Sequence, residues 1–137
     1  LRLLADTDAI RFLQADVRHH GGFTGCWDVA TYCANRPIRF VPHNFGTHLG
    51  LVANAHLIAA VPEAKLLEYP VFGNDLASMY PFDLAADILS TDLDISDGRL
   101  QVPTGPGLGV EINFDVLDEY SYIEGPWTEF EYQNGRE

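Results

Sequence analysis

Three ionisable side chains stand at comparable places in three successive apolar runs. Asp16 closes the run Ile10–Ala15 (IRFLQA), His43 comes just after Ile38–Val41 (IRFV), and Glu68 lies within Leu66–Tyr69 (LLEY). Histidine titrates near neutrality and carboxylates can orient it, so together they are the equipment of proton transfer. Each also has a plain reading when taken alone. Asp16 suits a loop or helix-capping carboxylate, His43 a satisfied loop histidine, and Glu68 a solvent-facing strand residue. His19 and His20 form an adjacent pair, but neighbours on an extended segment point to opposite faces and make a poor chelate. One of them facing a substrate is the alternative. His48 and His56 read as structural or solvated positions on a helix. Asn44, beside His43, is placed to touch a substrate, although nothing in the sequence singles it out.

The elements that must position these residues follow from periodicity. Ile10–Ala15 reads as a buried strand ending before the Gly21-Gly22 break. From Thr24, a candidate N-cap, the residues Cys26, Val29, Ala30, Cys33 and Ala34 recur at helical spacing, and Asn35 and Pro37 stop the helix. Ile38–Val41 is the next strand. Thr47 then caps a helix whose Leu51, Val52, Ala55, Ile58 and Ala59 share a face, and Pro62 ends it. Leu66–Tyr69 makes a third strand. Strand, helix, strand, helix, strand with short links is the rhythm of a parallel sheet or barrel, and reaction chemistry in such folds sits at the C-terminal strand ends. After Pro70 this order stops. A connector rich in Pro, Gly and Asp leads to a hairpin about Ser96-Asp97-Gly98, a Gly-rich punctuation at 105–109 and a short helix near Phe114–Tyr120. The tail from Ser121 to Glu137 is acidic, with Tyr122, Trp127, Phe130 and Tyr132 interspersed.

Composition narrows the function classes. The 137 residues are 47% apolar and carry twenty acidic against eight basic side chains, a formal charge of −12. One ordinary core is within reach of this length, and a partner that presents phosphates is disfavoured because nucleic-acid binding runs on clustered Lys and Arg. A nucleic-acid or anionic-membrane binder is therefore not expected. The basic set is seven Arg with one Lys, Lys65, a skew similar to that of proteins from salt-adapted organisms. Cys26 and Cys33, seven apart on a helix, are separated by ~10 Å, beyond the roughly 7 Å a disulfide spans. Two buried thiols and a cytoplasmic location are expected. The longest mostly apolar stretch, Leu49–Val61, falls short of the ~20 residues that a membrane span needs. No signal peptide is visible, and Leu1–Ala5 opens without a capping residue, as though the chain began in mid-helix.

Four segments in order, LQADVRHHGGFTG, VPHNFGTHLGLVANAHLIAAVP, LLEYP and DGRLQVPTGPGLGVEI, resemble consecutive motifs near the C-terminus of the mandelate racemase branch of the enolase superfamily. The resemblance covers residues 1 to about 120. It implies an α/β fold, the C-terminal portion of a modified (β/α)7β barrel, with residues 1–69 supplying the last three strands. Residues 70–137 would return to an α+β capping domain and add the acidic tail. The first five strands, with the metal-binding carboxylates and the paired-lysine motif, would lie outside this chain.

Carried over residue by residue, the resemblance places the Asp of the sixth strand on Asp16, the His of the seventh on His43 and the Glu of the eighth on Glu68. Asp16 would fix the tautomer of His43 and raise its basicity, leaving the other ring nitrogen to move a proton. Glu68, protonated, would hydrogen-bond the enediolate that forms when a proton α to a carboxylate is removed, alongside Mg²⁺. The implied activity is Mg²⁺-dependent dehydration of a small-molecule acid sugar, an aldonate or aldarate, to a 2-keto-3-deoxy acid. Racemisation or epimerisation of a 2-hydroxy acid is the runner-up. A non-catalytic truncated piece is the third reading, because an open half-barrel exposes sheet edges and should pair or aggregate. The chain alone would lack most of the metal site and be inactive, and by analogy the protein would be a homo-oligomer.

Overall fold

The computed structural model describes residues 1–70 and 82–121. Along the chain these form α1 (Arg2–Ala5), β1 (Phe12–Leu13), α2 (Gly22–Ala34), β2 (Arg39–Phe40), α3 (His48–Ala60), α4 (Phe82–Asp87), β3 (Ile95–Ser96), β4 (Arg99–Leu100) and α5 (Phe114–Glu119). The connector 71–81 and the aromatic tail from Tyr122 onward lie outside the described residues.

β1 and β2 pair in parallel, with Phe12 opposite Arg39 and Leu13 opposite Phe40. Backbone bonds extend the pairing: Val41 N–H donates to Leu13 C=O at 3.2 Å and His43 N–H to Ala15 C=O at 3.3 Å. α2 crosses between the two strands, so the unit is a βαβ crossover. One core cluster gathers Leu13, Ala15, Cys26, Ala30, Cys33, Ile38, Phe40, Leu57, Val61 and Ala64 from the two strands and their flanking residues, α2, α3 and the segment just after it. Burying these side chains is the main favourable term of the unit.

Three local expectations are corrected. Thr24 does not cap α2, because the N-cap lies three residues earlier at Gly21, whose φ of +76° a residue with a Cβ adopts only under strain. The apolar face of α3 is wider than its periodicity indicates: Gly50 to Ala55 and Leu57 are all buried, while Ala59 is exposed. The helix lies between two clusters, with Leu57 in the first and Val52 in a second that holds Ile88 and Leu89. The third strand does not form, since Leu66–Tyr69 joins no ladder. A groove of about 340 Å³ lined by Arg39, Phe40, Val41, Glu63, Lys65 and Leu66 opens between this segment and β2. Apolar composition alone supplies no partner for a strand's backbone groups, which must be paired for a ladder to exist.

The hairpin is as expected: β3 and β4 are antiparallel, with Ile95 opposite Leu100. Asp97 and Gly98 have φ of +50° and +69°, the doubly left-handed pair that a two-residue type I′ turn needs. Ile112 bridges Leu89, and Leu108 and Val110 pack with Val52, Ile88 and Leu89. His56 Nε2 donates to Leu108 C=O at 3.0 Å, so this histidine ties α3 to the Gly-rich turn. Asn113 caps α5 through its side-chain oxygen, which accepts from Val116 N–H. Among the described residues no helix is long and apolar enough to cross a membrane.

Candidate active site

The register of the parallel pair decides what Asp16 meets. Phe12 faces Arg39 and Leu13 faces Phe40, and the same 27-residue offset sets Asp16 level with His43. Both residues leave the sheet at its C-terminal edge. Neighbouring parallel strands lie about 4.8 Å apart, so side chains at one level on one face come within reach of each other. His43 Nδ1 is 3.1 Å from Asp16 Oδ2.

Asp16 is only 1% exposed, whereas the His43 side chain is 44% exposed. A buried carboxylate requires compensation, and Arg18 provides most of it. Asp16 Oδ1 accepts from Arg18 N–H at 2.9 Å and Nε at 3.0 Å, and Oδ2 accepts from Arg18 Nη2 at 2.5 Å. Burial by itself raises the Asp16 pKa, but the hydrogen bonds from Arg18 and His43 and the guanidinium charge outweigh it and hold the carboxyl well below the usual range. Asp16 is therefore an anion at neutral pH and can only accept. Nδ1 of His43 must carry the hydrogen, and Nε2 is left with the lone pair.

Asn54 sets the spacing of the two exit loops. It is fully buried in α3, its Oδ1 accepts from Val17 N–H at 3.4 Å, and its Nδ2 donates to His43 C=O at 3.1 Å. One amide thus reaches the residue after Asp16 and His43 itself. Glu68 approaches from the segment after α3: its Oε2 accepts from Asn44 N–H at 2.6 Å and from Gln14 Nε2 at 3.5 Å. The structure therefore brings Asp16 and His43 into direct contact and joins Glu68 to them through the backbone of the next residue. The Asn44 side chain is 1% exposed, with neither amide atom hydrogen-bonded among the described residues.

The other histidines fall elsewhere. Val17 to Gly21 is a turn, not an extended segment, with His19 N–H and His20 N–H both donating to Asp16 C=O. His20 Nδ1 accepts from Asp16 N–H at 3.3 Å, so its ring supports the turn. Among the described residues no three His, Cys, Asp or Glu side chains gather into a metal-binding set. Cys26 and Cys33 are free and buried. Burial, with the Asp16 charge adding to it, pushes the Cys26 thiol up to about 11, and burial raises Cys33 as well, so neither is a ready nucleophile.

Arg18, Asn54 and Gln14 are not apparent as site residues in the sequence. Asn54 does leave a signal, as an amide inside the apolar stretch Leu49–Val61 that must find partners if buried. Arg18 leaves a weaker one: a cation two residues after an aspartate ahead of Gly-Gly is within reach of an Asx-type turn.

Residues 1–116 match the enolase C-terminal domain-like family. D-galactarolactone cycloisomerase of Agrobacterium fabrum is 32% identical over 82% of the chain and 30% of its own length. D-xylonate dehydratase of Haloferax volcanii is 26% identical over 90% of the chain and 28% of its own length. Among solved structures, a member of the enolase superfamily from Polaromonas sp. JS666 superposes with a TM-score of 0.74 at 26% identity, covering 91% of the chain and 31% of that structure. The chain spans under a third of the length of these relatives. With the family matching most of its residues, the chain belongs to the enolase C-terminal domain-like family, in the mandelate racemase branch of the enolase superfamily.

Proposed function

We propose that the protein to which this chain belongs is a lyase that dehydrates an acid sugar, an aldonate or aldarate, to a 2-keto-3-deoxy acid, with His43 moving the proton. The observation that carries this reading is the contact between a half-exposed imidazole and a buried, ionised carboxylate, His43 Nδ1 to Asp16 Oδ2 at 3.1 Å. With Nδ1–H held by Asp16, the Nε2 lone pair is the group that accepts the proton α to the substrate carboxylate. The same nitrogen, now protonated, donates to the departing 3-hydroxyl, so one residue serves both half-steps. Asp16 compensates the positive charge that appears on the ring between them.

Glu68 would meet the substrate carboxylate as the enediolate develops. Both of its bonds among the described residues fall on Oε2, which leaves Oε1 for substrate. The described residues do not supply a metal set, and in this reading the Mg²⁺ implied by the family would be held by residues outside this segment. In the intact protein residues 1–69 would form the last units of a (β/α)7β barrel and residues 70–137 would return to a capping domain. The isolated 137 residues would then hold only part of the site.

A second reading is kept because a relative at 32% identity is a cycloisomerase. Isomerisation shares the α-proton step and differs in the fate of the enediolate. The test is a panel of aldonates, aldarates and aldarolactones incubated with the purified intact protein and Mg²⁺, read by mass spectrometry and ¹H NMR. Loss of water with a new 3-methylene signal supports dehydration. A product of unchanged mass supports isomerisation, and no turnover across the panel contradicts both.

A further inference from the structure

We propose that Arg18 is a positioning residue that shares the Asp16 carboxylate with His43 and sets how strongly that carboxylate backs the imidazole. The proposal rests on His43 being the proton-transfer group of the site.

A carboxylate offers about four lone-pair positions, and here Arg18 takes most of them through N–H, Nε and Nη2, while His43 shares Oδ2. The planar fork prevents the carboxylate from turning, which fixes the direction of the Nδ1–H bond. It also places a fixed positive charge beside the negative one, so a proton arriving on His43 meets the field of an ion pair instead of a bare anion. The fork is anchored on the other exit loop as well, because Arg18 Nη2 donates to Phe45 C=O at 2.9 Å.

The surrounding backbone is shaped around this side chain. A Cβ on Gly46, whose φ is +151°, would stand 2.1 Å from Arg18 Nη1. A Cβ on Gly50 would stand 3.1 Å from Arg18 Cδ and Nε and 3.3 Å from Asn44 Oδ1. Two positions without side chains therefore make the space in which the guanidinium lies.

The experiment uses the intact protein with Arg18→Met and Arg18→Lys. Two quantities are read: the midpoint of the His43 ring titration by NMR, and the pH dependence of kcat/KM for the acid sugar. Among the described residues, His20, Cys26 and Glu68 are ionisable groups beside the pair; they are unchanged in the variants and cancel in the difference. Removing the cation should favour the imidazolium, so in Arg18→Met the midpoint rises by about one pH unit and the acid limb of kcat/KM moves with it. Lysine keeps a charge without the fork, so in Arg18→Lys the midpoint stays within a few tenths of a unit while kcat falls about tenfold. A midpoint that is unmoved or lower in Arg18→Met overturns the proposal. So does a raised KM with an unmoved acid limb, which would make Arg18 a substrate ligand. Should Arg18→Met fail to fold, Gly46→Ala, whose Cβ would stand 2.1 Å from Arg18 Nη1, displaces the guanidinium and must move the midpoint in the same direction; an unmoved midpoint there overturns the proposal equally. The titration needs no substrate, so a shifted midpoint in a protein that turns over no acid sugar supports the coupling and counts against the lyase reading alone.

Discussion

Replacing Asn54 by Ala removes the amide that joins the two strand exits. Its Nδ2 bond to His43 C=O at 3.1 Å is of ordinary length, and its Oδ1 bond from Val17 N–H at 3.4 Å is weak. A hydrogen bond contributes about 1 kcal/mol net, a weak one about half of that, and leaving a buried acceptor unpaired adds to the loss. The small void adds roughly another 0.5 kcal/mol, so the substitution should cost about 2 kcal/mol in all. Asn54→Leu fills the space but satisfies neither backbone group, so it should cost a similar amount and separate the polar loss from the void. The assay is denaturant unfolding of the intact protein followed by tryptophan fluorescence, with stability taken from midpoint and slope. Because His43 loses its tether, kcat should fall about tenfold or more while the His43 titration midpoint moves little. A loss below about 0.5 kcal/mol in both variants, with unchanged kcat, would refute the tether, since such a loss is no larger than that of an ordinary surface substitution.

The same geometry sets further outcomes. Asp16 has a depressed pKa when folded, so its stabilising contribution is fully present above the unfolded value of 3.8 and is lost as pH falls below it toward the folded value. Asp16→Asn should therefore be less stable than the unaltered protein at pH 7, and the difference should shrink as acid unfolding is followed downward from about pH 4. An unchanged gap at both ends of the titration would mean that Asp16 is not the ionised partner. Cys26, 0% exposed with its thiol near 11, and Cys33, 1% exposed, should resist iodoacetamide in the folded protein at pH 8 and react once it is unfolded, as judged by mass spectrometry. Rapid labelling in the native state would contradict the burial of α2 against the sheet. Asp16→Asn combined with His43→Asn should cost far less in kcat/KM than the product of the two single losses, because residues that act as one unit are strongly non-additive.

The sequence shows the parts of this site more clearly than their arrangement. Asp16, His43 and Glu68 can be singled out because each accompanies an apolar run, and the hairpin can be placed because Asp97-Gly98 is a turn signal of the strongest kind. The register between β1 and β2 cannot be read, since nothing in IRFLQA or IRFV specifies an offset; the packing of α2 and α3 on the pair supplies it. Leu66–Tyr69 misleads because an apolar run suggests a buried, paired strand, whereas Leu66 and Tyr69 are exposed and the segment joins no ladder. The segment of His19 and His20 suggests extension, whereas backbone bonds to the Asp16 carbonyl turn it. Arg18 escapes notice for a different reason: its importance depends on a buried anion and on two glycines, Gly46 and Gly50, about thirty residues further along the chain.

The central claim, that His43 backed by Asp16 moves the proton, is tested most directly by comparing the intact protein with its His43→Asn variant in forming a 2-keto-3-deoxy acid from an acid sugar, followed by ¹H NMR. Asparagine keeps much of the size and one hydrogen-bonding end but cannot serve as a base near neutrality. Turnover should fall by the roughly 10²- to 10⁴-fold typical of losing general acid–base catalysis, with the fold intact by circular dichroism. A folded His43→Asn protein that keeps wild-type turnover would remove His43 from the mechanism.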